Sequence, residues 1–467
     1  MSLKKMIVSG AAALALMGTA AAAANVVLEQ DGTGDYLLAP VYYAVSNWST
    51  TLKVVNTNTT RAIVAKVVLR DSKQCDEIID FPLYLTPGDV WEGTIKEDEN
   101  GNIVVVTKDD SVILGGKSAN QYPNGLTISP TPAHKKVETN ANGCTRVNWH
   151  GYVEIFGVAS YDPKEIDSAW EPCKPLSKIA FYNAVAKNSA PNLSTGYGFG
   201  DVANSDLMGK ITIYAESANV NGRRTMMLNM LALGNVSETG VSTNVIGADT
   251  RIANMSSKGL DVIPEIDAAL AKQSIYVMYE GDGNSLYPIR THFTVPTKKY
   301  WFDEVKAMPN AYQLPKGVTT AKCGSEYYYA LNSTGNEITF RDMEENCNKC
   351  KKKTEISGGQ EESCEIKIHE EVHFFGDKDM SAGAKSALGI TYDVGAPIRD
   401  YAFAQGGYID FNLTNNDYTY NGGKTKEISF AGMPIVPTTF YAKDVQGIYL
   451  NNWLYNQYEK PGKITLK

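Results

Sequence analysis

Alternation with a period of two dominates the chain from Tyr36 to Ile95. In Ala62–Arg70, Ile63, Ala65, Val67 and Leu69 fall on one face, while Lys66 and Arg70 fall on the other. In Ile78–Leu85, Ile79, Phe81, Leu83 and Leu85 point one way and Asp80 and Tyr84 the other. Successive side chains of a strand alternate between faces, so the pattern predicts antiparallel strands with one buried and one wet side. Thr86-Pro87-Gly88-Asp89 predicts a turn into Val90–Ile95, and Asn100-Gly101 predicts a hairpin returning through Ile103–Val106. Short strands separated by such turns point to a mainly β protein built from immunoglobulin-like antiparallel sandwich domains.

Beyond this region the pattern is less regular. Residues 115–145 are rich in Gly, Asn, Pro and Ser and predict a long loop, after which Tyr152–Val158 resumes a strand. A short helical insert is predicted over about 163–188, interrupted by Pro172 and Pro175. Strands follow at Lys210–Tyr214 and Thr225–Leu233. Asp261 is the expected N-cap of a helix through Ala271, with Ile263, Ile266 and Leu270 on one side. Ser274–Tyr279 and His292–Val295 predict further strands, and Pro296-Thr297-Lys298-Lys299 predicts a link. The expected organisation is therefore one sandwich unit over 25–300 and a second β-rich unit over 301–467. In that second unit Tyr327–Leu331, Ile338–Phe340, Glu365–Phe375, Tyr408–Leu413 and Glu427–Phe430 read as strands.

The first 24 residues fit neither unit. Lys4 and Lys5 precede an apolar run from Met6 to Met17, then Gly18-Thr19 and five alanines, Ala20 to Ala24. A charged start, a short apolar stretch and small residues before a cleavage point are the marks of a secretory signal peptide. The mature chain is expected from about Asn25, secreted or at the cell surface. No later apolar run approaches the roughly 20 residues that a helical span needs, so no transmembrane anchor is expected. An outer-membrane barrel would instead show alternating segments of about 10 residues along the whole chain, and the strands here are irregularly spaced. A formal charge of −8 gives no electrostatic footprint for nucleic acid.

Export changes the reading of the seven cysteines. Disulfides are the default outside the cytoplasm, and an odd number leaves at least one thiol over. A hairpin closed around the Gly358-Gly359 turn favours Cys350–Cys364 and with it Cys323–Cys347, while Cys144–Cys173 would staple the long loop to the helical insert, leaving Cys75 unpaired or intermolecular. The alternative is zinc held by Cys347, Cys350, Cys364, His369 and His373, whose side chains are ligands that zinc accepts. On a continuous strand, Lys367, His369, Glu371 and His373 would share one face, which reads as a solvated one. Calcium is a candidate ligand at Asp31-Gly-Thr-Gly-Asp35, Glu280-Gly-Asp282-Gly-Asn284 or Asp377-Lys-Asp379, none of which completes an EF-hand. Turn chemistry explains the same residues.

Catalytic signatures are absent: there is no G-x-S-x-G elbow, and no catalytic residue is assigned. Gly115-Gly116-Lys117-Ser118 matches the end of a phosphate loop, but Ser111 stands where its first glycine belongs. Trp48, Trp91, Trp149, Trp301 and Trp453 lie in or beside strands and are expected in cores rather than on sugar-binding surfaces.

Several phrases do carry a resemblance. They are Leu52-Lys53-Val54-Val55-Asn56-Thr57, Val64-Ala65-Lys66-Val67-Val68-Leu69-Arg70, Asp80-Phe81-Pro82-Leu83-Tyr84-Leu85-Thr86-Pro87-Gly88-Asp89-Val90-Trp91, Gly151-Tyr152-Val153-Glu154-Ile155-Phe156 and Phe293-Thr294-Val295-Pro296-Thr297-Lys298. Over about 36–300 the chain resembles exported, surface-layer-like cell-surface proteins of Gram-negative bacteria. The resemblance implies envelope location and a structural role, as the subunit of a surface coat or extracellular filament that self-associates. In such an assembly Asn25, Val26, Val27 and Leu28 are the candidate donor strand, hinged at Gly32–Gly34; the simpler reading makes them the first strand of their own sheet. An adhesin that binds a cell-envelope glycan is the second reading, and an exported hydrolase the third.

Overall fold

The computed structural model describes residues 26–186 apart from 46, 47, 75 and 131. It further describes 197–198, 206–216, 223–234, 236, 262–280, 289–298, 312–314, 316–317, 319, 321–331, 338–342, 344, 346–349 and 366–376. Towards the C-terminus it describes 403, 405–413, 417–422, 426–445, 448–455, 460–461 and 464–466. The protein is mainly β, and its strands pair antiparallel.

The first unit is two facing sheets. One runs in the order β1 (Val27–Leu28), β12 (Leu231–Gly234), β2 (Tyr36–Tyr43), β9 (His150–Tyr161), β4 (Ala62–Asp71) and β5 (Glu77–Leu85). The other runs β8 (Leu126–Ile128), β7 (Ile103–Thr107), β6 (Val90–Glu97), β3 (Trp48–Asn56), β10 (Leu207–Glu216) and β11 (Arg223–Asn229). A short seventh strand lies off each path, Tyr197–Gly198 against β9 and Thr33–Gly34 against β10, so both sheets are wider than the four and three strands of an immunoglobulin constant domain. The predicted apolar face of β4 and β5 lies in the core between them, where Phe81 meets the fully buried Trp91 at 5.6 Å between ring centroids. Turn chemistry is as the sequence predicts. Gly88 has φ +70°, and Gly101 has φ +77° in the hairpin from β6 to β7, where Glu97 pairs with Ile103. The long 115–145 segment is not featureless: it contains β8 and a short ladder between Val137–Thr139 and Thr145–Val147.

The face expected to be wet is buried. Lys66, Asp80, Tyr84 and Glu154 all lie inside, so the first sheet is covered on both sides. Helix α2 (Lys178–Ala186), which follows the short α1 (Pro163–Ile166), packs Phe181 and Tyr182 edge-on against Tyr84. The charges there survive by pairing. Lys66 Nζ lies 3.1 Å from Asp80 and 3.8 Å from Glu77, and Arg70 pairs with Glu154. Tyr36 Oη also donates to Glu154 Oε1 at 3.0 Å. Alternation assigned the faces correctly but could not reveal a third layer.

Sheet membership changes before residue 300. Helix α3 (Val262–Leu270) runs directly into β13 (Ala271–Glu280), which pairs with β17 (Gly406–Asn412), itself paired with β15 (Ile338–Asp342). Strand β14 (Ile289–Thr294) pairs with β16 (Val372–Gly376) and with β18 (Val436–Val445), beyond which lies β19 (Ile448–Tyr455). Phe293 and Phe411 meet at 5.5 Å, joining these two sheets through their side chains. Strands of the expected first unit thus form the middle of the second.

Candidate functional site

Chemistry-bearing side chains converge where the two units meet. On the first unit, β4 ends at Asp71, a buried carboxylate whose burial pushes it above its ordinary range. Its Oδ1 accepts from the backbone N of Lys73 and Gln74, each at 2.9 Å, and its Oδ2 from Asp76 N at 2.7 Å. An Asx turn of this kind fixes the loop 72–76 and presents its groups outward. The second unit takes them up. Val372 N donates to Ser72 O at 3.1 Å, Gln74 Nε2 donates to Ser325 Oγ at 2.8 Å, and Lys73 lies 3.8 Å from Glu370.

Three further contacts extend the junction along β2 and β9. Thr294 Oγ1 donates to Pro40 O at 2.6 Å and Tyr152 Oη to Pro296 O at 2.7 Å, both buried. Tyr43 Oη and His292 Nε2 are hydrogen-bonded, and Tyr43 stacks on Trp149 and His150, whose own ring centroids are 4.6 Å apart. Burial holds His150 down to about 4, which its hydrogen bond to the Val372 backbone only partly offsets. His150 is therefore neutral at physiological pH.

A covalent bond closes the same junction. Cys144 and Cys323 form a disulfide with 5.6 Å between their Cα atoms, 179 residues apart in sequence. This corrects the expected pairings Cys144–Cys173 and Cys323–Cys347: Cys173 and Cys347 are exposed free thiols. The reason is geometric. The turn after Val137–Thr139 is drawn tight by Asn140 Oδ1, which accepts from Cys144 N at 2.9 Å, and it leans on the 321–327 turn of the other unit. A disulfide needs Cα atoms within about 4.4–6.8 Å, whatever their distance along the chain. Cys75, Cys350 and Cys364 lie outside the described residues, so the Cys350–Cys364 pairing lies there too.

The strand predicted over Glu365–Phe375 is broken at 369–371, and its two pieces join different sheets. His369 turns to Tyr328 (ring centroids 5.1 Å) and its Nδ1 lies 3.2 Å from Ser325 O. His373 is half-buried, and burial lowers it to about 3. Glu371, expected on a solvated face, is completely buried, and burial raises it to about 8 against the opposing charge of Lys298. No group of three or more His, Cys, Asp or Glu side chains suited to a metal occurs among the described residues.

Other expected sites resolve into turns. Asp31 Oδ1 accepts from Thr33 N and Oγ1, each at 2.9 Å, and Gly32 has φ +80°. Gly115 and Gly116 both have positive φ between paired Leu114 and Lys117, a two-residue hairpin rather than a phosphate cradle. Asp377 and Asp379 lie outside the described residues, as do 281–284. Trp48 and Trp91 are buried in the core and Trp149 packs against it. The N-terminal Val27 and Leu28 pair with Gly234 and Leu233 of their own chain, on the sheet's edge; Asn25 lies outside the described residues. No helix among the described residues is long and apolar enough to cross a membrane. No protein-family model, curated protein or solved structure matches the chain.

Sequence reasoning missed Asp71, Gln74, His150, His292, Lys298 and Glu371 as a group. One signal was available: the polar run Ser72-Lys73-Gln74 directly follows the largely apolar strand Ala62–Asp71.

Proposed function

We propose that the chain is an exported structural protein of the cell envelope, the subunit of a surface coat or extracellular filament. The observation that carries this reading is the junction: the disulfide joins the two β units to each other instead of stapling a loop within one. A bond of that kind suits an oxidising compartment and a subunit that must hold its shape under load. The signal-peptide pattern at 1–24 and the resemblance over 36–300 support the same setting.

Self-association proceeds in this reading through strand addition at sheet edges. Strand β1 is the means. It pairs through two residues, extended by Glu29 N donating to Ala232 O at 2.9 Å; Val26 before it is buried in the core, whereas Val27 and Leu28 are 39% and 37% exposed at the rim of the sheet. Moved to a neighbouring subunit, it would exchange this short pairing for an equivalent one, with Val26 passing from its own core to the neighbour's. The adhesin reading has less support: the buried or core-packed Trp48, Trp91 and Trp149 present no open aromatic platform to a glycan. The test is to export the full chain and a deletion of 25–34 from a Gram-negative host and to size both after purification. The full chain should assemble and the deletion should remain a folded monomer. A deletion that assembles equally well rejects β1 as the donor.

A further inference from the structure

Lys298 and Glu371 form the most enclosed pair of opposite charges described in the molecule. Their side chains are 1% and 0% exposed, with Nζ 3.8 Å from Oε1. The backbone fixes both residues. Thr294 pairs with Val372 across β14 and β16, Val295 N donates to Glu371 O at 2.7 Å, and Lys298 N donates to Val295 O at 3.2 Å. The amine is aimed by two carbonyls, Gly324 O at 3.1 Å and His369 O. The carboxyl is not: neither Glu371 oxygen has a hydrogen-bond partner.

An ion pair in that position is an expensive arrangement. Burying two charges costs several kcal/mol each, recovered only when the remaining lone pairs are hydrogen-bonded. Here the carboxylate has only the one ammonium, and burial favours the uncharged acid, raising Glu371 to about 8. Transfer of one proton from Nζ to a carboxyl oxygen turns the pair into a neutral amine facing a neutral acid. These are the reactants of an amide, held dry and in register. Intramolecular reactants reach effective molarities of about 10⁵–10⁸ M once the reacting atoms stand about 3–3.5 Å apart, a short approach from the 3.8 Å that separates Nζ from Oε1 here.

We propose that Lys298 and Glu371 condense into an intramolecular isopeptide bond. The Nζ lone pair attacks Cδ, forming the C–N bond. The C–OH bond then breaks, and the hydroxyl leaves with a second Nζ proton as water. Nothing is oxidised or reduced and no cofactor takes part, because the pair supplies both the proton and the leaving group. The product is neutral, and its single N–H can still donate to the His369 or Gly324 carbonyl. Its burial costs far less than that of two ions. The bond closes the segment 298–371, which contains Cys323. The turn that carries the disulfide is then tied covalently to the sheet of the second unit as well as to the first unit. This inference does not depend on whether the chain assembles.

The mass of the whole purified chain decides the matter. After reduction of disulfides, the native protein should be lighter than its sequence by one water. Protease digestion should yield a branched peptide joining the segment around Lys298 to that around Glu371. The peptide matters because a succinimide at a site such as Asn100-Gly101 also removes a water, and it would map elsewhere. Lys298→Arg keeps the charge but should have the full sequence mass. Glu371→Gln should reach the same final mass as the native chain, since ammonia leaves in place of water. A native chain that stays at full mass after prolonged incubation at neutral pH, or a missing water located away from these residues, overturns the proposal. The native measurement stands even if a variant fails to fold.

Discussion

Removal of the Cys144–Cys323 bond gives the sharpest test of how the two units are held. The perturbation is the double substitution Cys144→Ser with Cys323→Ser, which avoids leaving one reactive thiol. The bond closes a loop of 179 residues. In the chain-entropy model such a loop contributes about 5 kcal/mol by restricting the unfolded chain. That value is an upper bound, since structure remaining in the unfolded state lowers it. Other contacts across the junction remain: Gln74 to Ser325, Thr294 to Pro40, Tyr152 to Pro296, Val372 to Ser72 and Tyr43 to His292, with Lys73 facing Glu370 and with Val372 and Val436 packed in the first unit's core cluster. At about 1 kcal/mol net each, the hydrogen bonds are together comparable to the bond they accompany. The double variant should therefore fold, with a junction that opens more readily than the cores of its units. Urea unfolding followed by hydrogen exchange should show the junction segments 72–76 and 321–327 opening before the sandwich core around Trp91. Oxidised native chain should show one transition at higher urea. Coincident, unshifted transitions in native and variant proteins would refute the claim that this bond joins the units.

Three further outcomes are expected. Acidification should weaken the junction. His150 is lowered in the folded state to about 4 from an ordinary 6.5, so the unfolded chain takes up the proton first. Stability is then lost as pH falls below about 6.5 and continues to fall until about 4; His150→Gln should flatten this limb in urea titrations across pH, and an unchanged limb counts against the assignment. Trp91→Ala should cost about 3–5 kcal/mol in urea unfolding, because it empties a fully buried site against Phe81; a loss below about 1 kcal/mol would mean the two sheets do not pack there. Leu28→Asp should leave circular dichroism and the unfolding midpoint nearly unchanged while suppressing assembly, and a large loss of stability would place β1 in the subunit's own core.

Local patterning made the sandwich readable and left the junction hidden. Alternation at 62–70 and 78–85, with turns at Gly88 and Gly101, gave strand positions, faces and hairpins, because each depends on neighbours within a few residues. The burial of Lys66 and Asp80 was not legible, since nothing local states that α2 and the second unit cover that face. Glu371 shows the same limit more acutely. Its alternation with His369 and His373 fits one amphipathic strand, yet the chain breaks at 369–371 because Ile366–Ile368 and Val372–Gly376 satisfy different sheets. The disulfide partner was likewise invisible, as Cys144 and Cys323 meet only after the units dock.

Electron microscopy of material exported from a Gram-negative host, with mass spectrometry identifying this chain, tests the structural role most directly. An envelope subunit joined by its junction should appear as an ordered lattice or filament that is lost on deletion of 25–34. A chain that stays a dispersed monomer at high concentration, with its disulfide formed, would contradict the account.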